Sequence, residues 1–371
     1  MTPDEFRAHF PALDTWTWLD TPGAPPGAIP VITALSTALD DWSAGSYDWL
    51  DWDSAADAAR SDFAHYTGID PNAVASLTSL AEAATIAVRC IAPGTTIVVA
   101  EDEFRSVLFP ALQHSASTPT DITVVARQPG VSRTASILDA IGPTTGLVMV
   151  SEVLTNDGEL VDIDAICRAA HQHRALVFAN LTQSLGVLRT DLSRYPADII
   201  AAHGYKWMLC PRGTTWLVAD PARAKLGPVV ASWKTAADSE HYFGGPYSES
   251  ASLSRCNSSP AWMSWIGARA ALTLLSHVDE ADSSRHALRL AGTYIDRMHD
   301  SGFRTLNHGA TSHIVVTAPP ENRRFNTSAL RDRRIRATMT ETGDLRVGFH
   351  YFNSEADVDH VVDAVRSTLI T

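Results

Sequence analysis

Lys206 stands in the run His203, Gly204, Tyr205, Lys206, Trp207, at the end of an apolar stretch. Twenty-six residues upstream, Asn180 closes another apolar stretch and is followed by Leu181, Thr182, Gln183 and Ser184. A lysine amine in such a place can form an imine with a carbonyl cofactor, and a polar side chain ending the neighbouring strand can meet that cofactor's ring nitrogen. The pairing points to pyridoxal 5′-phosphate. Elsewhere an isolated lysine is an ordinary solvated surface group, and it is the apolar strand and aromatic neighbours that set Lys206 apart.

Such a pair needs a scaffold of strand ends. From about residue 70 to 220, short apolar runs alternate with helix-like stretches, the signature of a parallel sheet covered on both faces by helices. The candidate strands are Ile97 to Ala100, Ile122 to Ala126, Leu147 to Ser151, Leu176 to Ala179, Ile199 to Ala202 and Thr215 to Ala219. Most are apolar throughout, as buried parallel strands are. Between them Ile163, Ile166, Ala169 and Ala170 fall at helical spacing, with Asp162 or Asp164 as the cap. Pro30 to Trp42 reads as a helix after the rigid turn Ala24 to Gly27, and it leads into the Trp-rich segment Tyr47 to Trp52. A long loop covers roughly 224 to 256 and is followed by a helix over Ala261 to Leu275; helix and strand then alternate to Val365.

The 371 residues exceed what one growing core accommodates, so a large domain with a smaller companion is expected. A net charge of -13 disfavours nucleic acid as a partner. Four scattered cysteines, Cys90, Cys167, Cys210 and Cys256, show no zinc-clasp or disulfide-framework spacing and read as reduced. The absence of a leader-like N-terminus or a long apolar span makes a cytoplasmic enzyme without a membrane partner the expectation. No metal site is expected: His171 and His173 lie two apart on a predicted helix and face different ways. No Gly-x-Ser-x-Gly elbow is present.

Several further motifs fall in an informative order. Thr78 to Ala83 opens a predicted helix, where free N–H groups and the dipole suit either a phosphate or a plain Ser/Thr cap. Phe104 follows a strand and suits either ring stacking or core packing. Arg346 lies in the short strand Leu345 to His350, where its guanidinium fork suits a substrate carboxylate or a surface ion pair. With Tyr205, Lys206, Trp207 and the turn Pro211, Arg212, Gly213, these motifs resemble the class V aminotransferase family of pyridoxal-phosphate enzymes over nearly the whole chain.

The resemblance implies an α/β fold of the pyridoxal-phosphate transferase type I. A large domain would carry a mostly parallel seven-stranded sheet, and a smaller α+β domain would lie at the C-terminus. The expected divisions are an N-terminal segment 1–30, a large domain 31–258 and a small domain 259–371. It also implies Lys206 as the imine-forming residue, Phe104 over the ring, Gln183 near the phenolic oxygen, and Ser79, Leu80, His203 and Tyr205 around the phosphate. Leu80 replaces a more usual hydroxyl residue, so its backbone would serve. Ser259 would reach the phosphate of a neighbouring subunit, implying a homodimer, and Arg346 would hold the α-carboxylate of an amino-acid-like small molecule.

The chain departs from the family at Asn180, where a carboxylate is usual. A carboxylate keeps the ring nitrogen protonated and the ring strongly electron-withdrawing, whereas an amide supplies no charge. Losing ~2 kcal/mol of carbanion stabilisation slows the limiting step about thirtyfold. Transamination depends on that stabilisation twice, so the expectation is a lyase: β-elimination of a sulfur-linked group, or decarboxylation with deamination, in a specialised small-molecule pathway. No cysteine lies between Arg331 and Leu345, where persulfide formation would need one. The rival readings are an ordinary aminotransferase and a non-catalytic protein that kept the fold.

Overall fold

The computed structural model describes residues 1–307 and 309–370. Its central sheet consists of β1 (Val74–Leu77), β2 (Thr96–Ala100), β3 (Asp121–Val125), β4 (Thr145–Ser151), β5 (Leu176–Asn180), β6 (Ile199–His203) and β7 (Thr215–Ala219). The spatial order is β1-β7-β6-β5-β4-β2-β3. β7 runs antiparallel to both neighbours, and the remaining pairings are parallel. The mostly parallel seven-stranded sheet expected from the sequence is therefore present. β1, absent from the predicted strands, completes it.

The apolar runs are explained by two cores, one on each face. Val148, Val150, Val177 and Ala179 enter one cluster, while Leu147, Met149 and Phe178 enter the other. Successive side chains of a strand point to opposite faces, so a strand buried on both sides has no position for a polar residue until its end. Each large aliphatic or aromatic side chain fully buried in this way contributes roughly 1.5–3 kcal/mol.

Helices α1 (Ile29–Ala44), α2 (Trp49–Thr67), α3 (Leu80–Val88), α4 (Arg105–Ser117) and α5 (Ile163–Gln172) accompany the sheet. Asp162, not Asp164, caps α5, accepting the Ala165 N–H at 2.9 Å. Helix α6 (Trp262–Leu275) follows the long loop and packs against α1 and α2. Its Trp265, Ala268, Ala271 and Leu272 share the core of the large sheet. The buried stripe of that helix, which follows the division expected at residue 259, faces the large core.

The smaller unit combines α7 (Glu280–Asp300) and α8 (Glu355–Thr368) with a four-stranded antiparallel sheet of β8 (Arg304–Thr305), β9 (Ile314–Ala318), β10 (Thr338–Met339) and β11 (Leu345–Gly348). Leu290, Tyr294 and Met298 of α7 meet Val358, Val361 and Val365 of α8 in its core. The N-terminal segment joins the two units. Phe6 and Phe10 pack in the large core with Phe352, while Thr17 and Trp18 pair with Ile335 and Arg336. Among the described residues no helix is long and apolar enough to cross a membrane.

Candidate active site

The parallel strands end together, and their last residues and following loops build the site, as expected at the carboxyl edge of an open α/β sheet. Ser151 ends β4 and lies in register with Asn180 at the end of β5, which in turn lies beside Ala201 of β6. The chain leaves β6 through a tight turn. Gly204 donates to Thr214 O at 2.9 Å and accepts from the Cys210 N–H at 3.0 Å. A Cβ on Gly204 would sit 2.7 Å from Thr214 Oγ1 and 3.1 Å from Cys210 Cβ, so only glycine allows this closure. The turn projects Lys206 inward.

Lys206 is buried, 7 % exposed, with Nζ 5.9 Å from the centroid of the Phe104 ring and 5.7 Å from that of Tyr205. Burial, then the Arg346 charge, pushes its ammonium down to about 7, with Asp20 acting in the opposite direction. A substantial neutral fraction near pH 7 makes the amine a nucleophile. Beyond burial, what acts on Nζ is the charge of Arg346, Asp20 and Arg212, with no side-chain hydrogen bond among these influences.

The segment holding Lys206 is braced from behind. His350 Nδ1 accepts the Tyr351 N–H at 2.7 Å, so Nε2 carries the proton and donates to Trp207 O at 2.9 Å. Trp207 Nε1 donates to Gln183 Oε1 at 2.7 Å. Gln183 Nε2 donates to Thr155 Oγ1 at 2.8 Å and to Pro22 O at 3.1 Å. Both amide hydrogens of Gln183 are therefore committed within the protein. The adjacent Thr155 hydroxyl, which accepts from Gln183, keeps its own hydrogen.

Phe104 is 47 % exposed at the start of α4, so the core-packing alternative does not hold. Arg346 on β11 turns inward, its side chain 12 % exposed, with Nη1 donating to Thr155 O at 3.4 Å and Nη2 3.8 Å from Asp20 Oδ1. Its Nε is buried without a partner among the described residues. A guanidinium so desolvated, with donors to spare, can receive an anion.

Ser79 caps α3, its Oγ accepting the Glu82 N–H at 3.2 Å. Glu82 accepts from the Thr78 N–H at 3.1 Å, from the Thr78 hydroxyl at 3.0 Å and from the Ser258 hydroxyl at 2.7 Å. The cap reading is thus realised, and the N–H groups of the first turn remain available to an anion, Leu80 N–H among them. His203 Nδ1 donates to Thr214 O at 2.7 Å, and burial pushes the imidazole down to about 4. Tyr205 carries the Arg212 guanidinium over its ring, 4.9 Å from the centroid. Ser259 is exposed beside Ser258.

Asn180 is 4 % exposed. Its neighbours were not singled out from the sequence: Ser151, Glu103 and Thr182, with Thr155 and Asp20 nearer Arg346. Ser151 carried a legible signal, a hydroxyl ending a strand adjacent to the one that ends in Asn180. Tyr47, Trp49, Trp52 and Trp262 form an aromatic cluster with Tyr242 of the long loop, so the Trp-rich segment is half-exposed packing between α2, α6 and that loop. Among the described residues, no group of three or more His, Cys, Asp or Glu is placed to hold a metal ion.

A free lysine amine, an unspent guanidinium, an open helix N-terminus and an exposed aromatic face suit an aldehyde-bearing, phosphorylated ring compound. Comparison with known proteins agrees in kind. The family model for aminotransferase class V matches residues 50–361. An uncharacterized aminotransferase of Bacillus subtilis, YcbU, is 25% identical over 372 aligned residues, covering 99% of this chain and 98% of that protein. Among solved structures, the cysteine desulfurase CsdA of Escherichia coli superposes with a TM-score of 0.83 at 20% identity, covering 99% of this chain and 98% of that one. A cystine C-S lyase in complex with its product cysteine persulfide gives 0.86 at 18% identity, covering 97% and 99%. At these identities the structural matches speak for the fold.

Proposed function

The chain belongs to the aminotransferase class V family of pyridoxal-phosphate enzymes, and we propose that it is a lyase acting on an amino acid or amino-acid-like conjugate. The observation that carries this reading is the pairing of a desolvated Lys206 amine with the charge of the inward Arg346 guanidinium, together with a neutral, buried Asn180 at the end of β5. The cofactor, when bound, supplies an electron sink for charge developing at the substrate α carbon. Lys206 would hold it through its amine and would move the proton at that carbon. Arg346 fixes the substrate carboxylate, and Phe104 covers the ring. The first turn of α3 at Ser79 and Leu80, with His203 and Tyr205, receives the phosphate. Thr155 rather than Gln183 offers a hydrogen to the phenolic oxygen, because Gln183 has none left to give.

A homodimer in which the partner subunit's Ser259 completes the phosphate site fits the exposed position of Ser259. It also fits the apolar side chains at the surface of the long loop, among them Phe243 at 95 % and Val230 at 70 % exposure. A persulfide route on a mobile cysteine is not favoured. The thiols of Cys167, Cys210 and Cys256 are held up at about 12 by burial, and Cys90 at about 11.

The test is spectroscopic and chemical. The purified protein should show the absorbance of lysine-bound cofactor, and Lys206→Ala should lose it; no such band in either would leave only a binding protein of this fold. Mixing with S-substituted cysteines should yield pyruvate while the absorbance returns. Stoichiometric conversion of the cofactor to its amine form, with release of a keto acid, would instead identify an aminotransferase.

A further inference from the structure

Asn180 is pinned at both ends of its amide by partners of different character. Oδ1 accepts the Thr182 backbone N–H at 3.0 Å, and Nδ2 donates to Ser151 Oγ at 2.8 Å. A peptide N–H only donates, so the atom facing it is the carbonyl oxygen and the amide cannot be turned over. The other contact leads on to Glu103. Glu103 is buried, and its two oxygens each accept a backbone N–H, Phe104 to Oε1 at 2.7 Å and Ser151 to Oε2 at 2.8 Å. Ser151 Oγ donates to Glu103 Oε1 at 2.5 Å, a contact that with the two backbone N–H groups opposes the upward push of burial on the carboxyl. Ser151 Oγ then accepts from Asn180 Nδ2, in agreement with the orientation that the Thr182 N–H fixes.

The chain Phe104, Glu103, Ser151, Asn180 thus ties the amide to the residue whose aromatic face stands 5.9 Å from Lys206 Nζ. The edge of the amide on the Ser151 and Phe104 side is the Nδ2 edge, and Nδ2 has one hydrogen unspent. We propose that Asn180 offers the pyridine nitrogen of the bound cofactor an N–H donor, that this nitrogen therefore stays unprotonated, and that Ser151 and Glu103 are positioning residues that fix the amide in this sense. A pyridinium has no lone pair to accept with, so an N–H facing it selects the neutral ring. This rests on the pyridoxal-phosphate reading above.

The experiment loads the full-length protein with pyridoxal 5′-phosphate labelled with nitrogen-15 in the ring. The absorbance of lysine-bound cofactor first establishes loading; without it the reading above fails and this one with it. With the band present, the ring nitrogen should resonate at the downfield position of a neutral pyridine and hold it across the pH range in which the protein stays folded. Asn180→Asp should move the signal far upfield, to the pyridinium region. Ser151→Ala leaves the amide held by the Thr182 N–H alone and should make the shift pH-dependent, and Ser151→Thr, which keeps the hydroxyl, should restore the wild-type value. A pyridinium resonance in the loaded wild type overturns the proposal. A wild-type shift retained in Ser151→Ala removes Ser151 and Glu103 from it.

Discussion

The floor of the site and its wall treat polar groups in opposite ways. On the floor, Asn180, Ser151 and Glu103 interlock through hydrogen bonds of 2.5 to 2.8 Å, and the remaining Asn180 oxygen is met by Thr182. On the wall, Arg346 keeps a buried Nε without a partner, and Lys206 is desolvated with no ion pair among the described residues to hold its proton. A satisfied polar network resists rearrangement, whereas an unsatisfied charged group is costly until a ligand arrives. The contrast separates what must stay in place from what must react: orientation is built into the floor, and binding energy is reserved on the wall.

The largest expected effect comes from breaking the wall. Arg346→Lys keeps the charge and loses the planar fork, and hydrogen bonds to charged groups are worth ~1.5–3 kcal/mol. KM for an amino-acid substrate should rise about 10- to 100-fold, with a smaller change in kcat. Steady-state kinetics on the substrate found by the pyruvate screen measures this, and an unchanged KM would show that Arg346 does not meet the carboxylate.

A smaller effect tests the desolvation of Lys206 directly, in cofactor-free protein. Its pKa is depressed in the folded chain, to about 7 from 10.5. The unfolded chain therefore holds the extra proton between these values, so the cost of burying the amine is full below the folded pKa and vanishes above the unfolded one. Each tenfold loss of proton affinity on folding corresponds to ~1.4 kcal/mol. Lys206→Met should accordingly melt above wild type at neutral pH, with the gain shrinking steadily between neutrality and about pH 10. Thermal melts at a series of pH values give the result, and a gain independent of pH would mean that the amine is not desolvated.

How much of this was legible beforehand follows from the same contrast. The wall residues Lys206 and Arg346 stood out because each interrupts an apolar strand neighbourhood with a charge, and the sheet itself was readable because both of its faces are buried. The floor was only half visible. Asn180 was noticed as a departure, but the Glu103 and Ser151 contacts join three separate strand ends, and nothing in local composition marks which acid folds inward. Gln183 shows the same limit. Its amide donors meet Pro22 and Thr155, and Pro22 lies 161 residues away along the chain, so local sequence gives no sign of these contacts. The same holds for α6, which follows the loop in sequence while its buried stripe completes the large core.

The smallest expected effect concerns Ser79, where floor and wall meet in one residue. Its hydroxyl caps α3 through the Glu82 N–H, which makes it part of the fixed framework, while the open first turn beside it is a place for an anion. If the cap is its whole contribution, Ser79→Ala should cost about 1 kcal/mol of stability and leave cofactor affinity nearly unchanged, because backbone N–H groups hold the phosphate. Ser79→Asp keeps the cap but places a negative charge at the helix start, which repels a phosphate there. It should melt close to wild type and bind the cofactor much more weakly. Titration of the apo forms with pyridoxal 5′-phosphate, read beside their melting curves, separates the two contributions. Equal affinity in the two variants would place the phosphate away from α3 and confine Ser79 to the framework.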